Sequence, residues 1–123
     1  MLTGCIKKPA PKGIINLNNN VDEKFNLIYK FSKKCFEKDS NLFSDGVFVK
    51  AKKSNYFGQI TFHRFAFDIG LTKPFIILNF ENNQIKIIEG TYECSYNGCV
   101  EFNIKSEIEN WLGGNTNCKY KKY

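Results

Sequence analysis

Arginine occurs once in this chain, at Arg64, and histidine once, at His63. The scarcity of arginine argues against a nucleic-acid reader, because its planar fork is the usual instrument for base edges and phosphates. No apolar run approaches the ~18–20 residues that span a bilayer. There is no Gly-x-Ser-x-Gly, no phosphate-cradling glycine loop and no His-Glu-x-x-His. Asp45, Asp68, Glu89 and Glu93 offer carboxylates, but no spacing among them selects a catalytic pair. A Cys–His nucleophile would need an activated thiol beside His63. These absences point away from an enzyme, from nucleic acid and from any resident cofactor. No internal repeat is visible.

Hydrophobic residues make up 42% of the 123 positions and aromatics 15%, including 12 Phe and 6 Tyr. That supplies one packed core and excludes wholesale disorder, and the length fits a single domain. The net charge of +6 sits at the ends, on Lys7, Lys8, Lys12, Lys119, Lys121 and Lys122, while the span 13–118 holds 12 basic and 12 acidic residues.

Asn20-Val21-Asp22-Glu23 has the form of a capping box. Val21, Phe25, Ile28, Ser32 and Cys35 then fall on one helical face, predicting a helix from Val21 to Lys38 that stops at Asp39-Ser40-Asn41. Strand patterns follow. In 46–52, Val47, Val49 and Ala51 share one side. Ile60 and Phe62 share a parity that Phe65, Phe67 and Ile69 reverse, so a bulge or tight turn is expected at His63-Arg64. Phe75 to Phe80 and Ile85 to Ile88 are apolar runs joined by Asn82-Asn83, a two-residue hairpin turn. A short helix is expected near Ser106-Glu107-Ile108-Glu109, a second capping box, with Ile104, Ile108, Trp111 and Leu112 inward and Gly113-Gly114 as its stop. The fold class is α+β in two layers, an N-terminal helix and a short C-terminal helix packed on an antiparallel sheet of four to five strands.

The N-terminus carries a resemblance. Leu2-Thr3-Gly4-Cys5 is similar to the lipobox of bacterial lipoproteins, with Leu three positions before Cys and small residues between. Small side chains fit a narrow protease subsite, and the thiol at the cleavage point takes the diacylglycerol. The resemblance implies cleavage before Cys5 and acylation of its sulfur and new amino group. Two or three acyl chains at ~0.8 kcal/mol per buried CH2 make a durable membrane anchor. A lipobox needs a charged start and about 7–15 apolar residues before it. Only Met1 and Leu2 stand there, implying a start upstream of Met1 or a trimmed chain. The alternative is a chance match at a cytoplasmic N-terminus. Ile6, rather than Asp, after the cysteine implies the outer membrane under the sorting pattern of that family.

Ile6-Lys7-Lys8-Pro9-Ala10-Pro11-Lys12-Gly13 has no apolar periodicity and reads as an extended tether of about 25 Å, its lysines suited to anionic lipid. The expected organisation is thus 1–5 lipobox and signal remnant, 6–13 tether, 14–118 domain and 119–123 basic tail.

With Cys5 as the lipidation site, Cys35, Cys94, Cys99 and Cys118 remain, and three pairings are open. Asn97-Gly98 makes a turn between Cys94 and Cys99 that favours a bridge across it, which would pair Cys35 with Cys118. That second bridge would close a loop of about 84 residues, with roughly 4–5 kcal/mol of stabilisation against about 2 for the short one. A zinc site of Cys94, Cys99, Cys118 and His63 competes, with loose spacing.

The binding candidates are His63 and Arg64, because bulges re-aim side chains, and Tyr96 and Tyr120 among the tyrosines and lysines near the C-terminus. Each also has a plain reading, as a bent strand or a solvated tail. The expectation is a lipid-anchored protein at the periplasmic face of the outer membrane, binding an envelope protein, the cell wall or a glycan. The alternative is a periplasmic immunity protein or inhibitor of a secreted toxin or hydrolase, which a neighbouring toxin gene would favour.

Overall fold

The computed structural model describes residues 13–37, 46–66, 70–88, 92–95, 98–101 and 104–118, with side chains described over 13–37, 48–63, 74–88 and 104–118. Strand β1 (Gly13–Asn16) leads to helix α1 (Val21–Phe36), then β2 (Gly46–Lys53), β3 (Gly58–Ala66), β4 (Gly70–Glu81) and β5 (Gln84–Ile88). A hairpin of β6 (Tyr92–Ser95) and β7 (Gly98–Glu101) precedes α2 (Ile104–Leu112). Five strands form one antiparallel sheet in the order β1-β5-β4-β3-β2, and β6-β7 form a separate pair. The fold is α+β with the two helices packed on one face of that sheet.

Alternation decides which face is covered. Ile15, Val49, Ile60, Phe62, Ile76, Leu78, Phe80, Ile85 and Ile87 are all buried and belong to the core. Phe25, Ile28, Phe31, Ser32, Cys35 and Phe36 of α1 meet them. Phe36 sets its ring edge against Phe62 at 5.4 Å, and Trp111 of α2 stacks on Phe31 at 6.0 Å. Ala51, expected inside with Val49, is exposed on the outer strand β2.

β1 had no periodic signal long enough to be read in sequence. Gly13, assigned there to the tether, pairs with Ile87 and begins the strand. Ile15 fills the core from this short edge. Leu17 is buried behind it, and its N–H donates to the Asn83 carbonyl at 2.8 Å.

The helix ends differ from their sequence reading. Asn20 adopts a left-handed conformation with φ 55° and makes no side-chain cap. A capping side chain needs extended backbone at that position to reach the first amides. The first helix closes at Phe36, with Glu37 already extended. The Asp39-Ser40-Asn41 stop lies outside the described residues. Helix α2 begins at Ile104, so Ser106 lies within its first turn and does not cap it, and Glu109 instead pairs with Lys105 at 3.2 Å. Its end is a Schellman arrangement: Asn115 N donates to Asn110 O, Gly114 N donates to Trp111 O, and Gly114 takes φ 97°.

Asn82 and Asn83 both have positive φ, 53° and 58°, between the paired Glu81 and Gln84. This is the type I′ turn that a two-residue hairpin favours.

The pairing around His63 is regular on one side of β3 and irregular on the other. Pairing of β2 with β3 is unbroken from Gly46↔Phe65 to Lys53↔Gly58. Against β4 the register shifts between Phe62 and His63 and again between His63 and Phe65, where the sequence predicts a bulge. Phe62 faces Ile76 but Phe65 faces Leu71, so the surplus residues sit on the β4 side of that break. Pro74, opposite His63, has no N–H to give the ladder. The irregularity brings Phe75 against Phe62, at 6.4 Å between rings.

Candidate functional site

The sheet face turned away from the helices carries the polar half of each alternating strand. Lys50 and Lys52 of β2 are exposed and lie two residues apart, about 6.8 Å along a strand. Register places Lys50 opposite Thr61, Lys52 opposite Gln59, and Phe48 opposite His63. With Ala51 and Pro74, these polar residues line a shallow depression of about 250 Å³. His63 Nε2 and Thr61 Oγ1 share a 2.8 Å hydrogen bond, Thr61 donating when Nε2 is unprotonated and accepting when it carries the proton. Gln59 Nε2 donates to Asn79 Oδ1 at 2.9 Å, which orients its amide at the rim.

Charge distinguishes this depression from the rest of the described surface. Lys33 pairs with Glu37, Lys53 with Asp22, Lys86 with Glu81 and Lys105 with Glu109. Lys24 donates to the Leu17 carbonyl, and Lys30 and Lys34 lie over the Phe31 ring. Among the described residues, Lys50 and Lys52 are the two lysines without such a partner, and no carboxylate lines their depression. Two like charges at about the 7 Å spacing of these strand positions repel by roughly 0.6 kcal/mol in water, an interaction that an anion between them reverses.

A second depression, of about 180 Å³, lies at the end of the sheet between the β2–β3 and β4–β5 turns, with Asp22, Lys53, Tyr56 and Asn82 in its lining. Its charges are internally satisfied, since Lys53 Nζ lies 2.6 Å from Asp22 Oδ1. Tyr56 stands 91% exposed at its rim.

Of the residues singled out in sequence, His63 enters the first depression. Arg64 follows it on β3, where its backbone pairs with Val47, but its side chain lies outside the described residues. Cys5, Tyr96 and Tyr120 also lie outside them. Cys35 and Cys118 are bonded sulfur to sulfur, with Cα atoms 5.3 Å apart. That bond engages Cys118 and removes it from the zinc set with Cys94, Cys99 and His63. Cys94 and Cys99 face each other in the β6–β7 register, though their side chains lie outside the described residues.

Lys50, Lys52, Thr61 and Gln59 were missed in sequence. The alternation of lysines with Val49 and Ala51 already put both lysines on one face, but their neighbours are visible only through the pairing of β2 with β3. Glu107 was missed as a buried group. It is wholly buried on α2.

The chain matches no family model, no curated protein and no solved structure.

Proposed function

We propose that this protein is a small lipid-anchored component of the bacterial cell envelope that acts by binding rather than by catalysis. The observation that carries the reading is Leu2-Thr3-Gly4-Cys5, with Cys5 as the acylated residue. Two others support it. The stretch 6–12 holds three lysines and two prolines, suited to a spacer beside anionic headgroups. The Cys35–Cys118 bond suits an oxidising compartment such as the periplasm. The sheet face turned away from the helices, with two lysines that no described carboxylate matches, is the surface we assign to the partner.

The test is the intact mass of the protein purified from its native membranes, taken before and after reduction. The expected species begins at Cys5, carries acyl chains, and gains two hydrogens for each bridge opened. A mass beginning at Met1, without acyl chains and with all five thiols free, would overturn both anchor and compartment.

A further inference from the structure

We infer that the depression lined by Lys50, Lys52, Gln59, Thr61 and His63 is a binding site for a phosphomonoester. The lining determines the sign of the ligand. It has two cations unmatched by any described carboxylate, a hydroxyl, an amide and an imidazole. A neutral ligand leaves the lysine charges uncompensated, whereas an anion neutralises them without any change in the fold. Lysine serves phosphate as a point charge on a flexible stem. A phosphomonoester brings about −1.5 to −2 charge at neutral pH and three acceptor oxygens, which matches two ammonium groups on one strand face. Across from Lys50, Thr61 can donate its hydroxyl hydrogen to a phosphate oxygen when its Oγ1 accepts from His63 Nε2–H, and across from Lys52, Gln59 can donate the amide hydrogen not given to Asn79. Pro74 gives the lining an apolar flank for the esterified group.

The phosphomonoester has two sources in an envelope, a soluble sugar phosphate or a lipid headgroup. The inference supplies a ligand class for the binding activity proposed above, and it rests on that reading only for the headgroup source. The site itself stands or falls independently of the mass measurement.

The test is an NMR titration of the ¹⁵N-labelled full chain with inorganic phosphate, against sodium chloride at matched ionic strength. Saturable shifts at the amides of 50–52 and 59–63 are expected, with a dissociation constant of millimolar order. Lys50→Gln and Lys52→Gln should each weaken binding about tenfold, and together abolish it. Both lysines are exposed, and unchanged amide dispersion elsewhere verifies that the variants fold. Shifts that chloride reproduces, that do not saturate, or that survive in the double variant overturn the site.

Glucosamine 1-phosphate shifting the same amides identifies a soluble ester as the source. Co-sedimentation of the unacylated full chain with phosphatidylcholine vesicles containing phosphatidic acid, lost in the double variant, identifies the headgroup. Vesicle binding that persists in the double variant belongs to the lysine-rich ends and overturns the headgroup source.

Discussion

Gly58 sits where β3 passes beneath α1, and a Cβ there would lie 2.8 Å from Phe25 Cε2. The Phe25 ring is 5% exposed and held edge-on to Phe80 at 4.8 Å, so it has little room to yield. Gly58→Ala should therefore cost about 1–3 kcal/mol through overpacking, read as a lower urea midpoint at unchanged m-value. Ser32 presents the opposite case. Its hydroxyl is wholly buried in α1 and makes no hydrogen bond among the described residues. Ser32→Ala removes that polar burden and should be neutral or stabilising by up to about 1 kcal/mol in the same assay. Lys33 has its pKa raised, first by its hydrogen bond to Glu37. A raised lysine stabilises the fold fully below its unfolded value of 10.5 and loses that contribution as pH climbs through the folded value. The stability difference between the native chain and Lys33→Gln should thus be constant through neutrality and shrink only above about pH 10.5, in urea titrations at stepped pH.

At the scale of elements, turn chemistry joins the strands. Asn82 and Asn83 hold positive φ in the β4–β5 turn, and the Asn83 carbonyl also accepts from Leu17 N, which docks the chain after β1. Asn83→Gly keeps the type I′ geometry and should leave stability within about 0.5 kcal/mol, whereas Asn83→Val forces a branched side chain into the left-handed region and should cost about 1–2 kcal/mol. Paired thermal melts would show the contrast. Glu37 links two more elements, since its carboxylate takes Lys33 at 3.1 Å and the outward Val49 N–H at 3.0 Å. It thereby occupies part of the outer edge of β2, where exposed lysines also discourage further strand pairing.

For the whole molecule, the layer of helices is closed onto itself by one covalent link. Cys35 lies on the last turn of α1 and Cys118 beyond the end of α2, 83 positions apart. A loop of that length restricts the unfolded chain severely. Replacing both cysteines by alanine should lower stability by roughly 4–5 kcal/mol while the sheet and both helices persist. Urea unfolding of the double variant, compared with the native chain with and without reductant, checks this. A loss below about 1 kcal/mol would mean that the bridge does little to confine the unfolded ensemble.

What sequence alone determined is whatever depends on neighbours a few positions apart. The inward face of α1, the strand patterns of β2 and β3, the apolar runs of β4 and β5, the Asn82-Asn83 turn and the glycine stop of α2 follow from periodicity and local backbone preference. His63 was marked in the same way, through a break in phase. Tertiary structure decided what depends on register between distant strands. It put β1 at the far edge against β5, and set the surplus residues of the register break at His63 on the β4 side, beside Pro74. It buried Glu107 and set Lys50 and Lys52 across from Thr61 and Gln59. A two-residue alternation says which side a lysine occupies, but it carries no record of which strand will lie beside it. That choice is made by the core, where Val49, Phe62 and Ile76 must meet under Phe36 for the apolar layer to close.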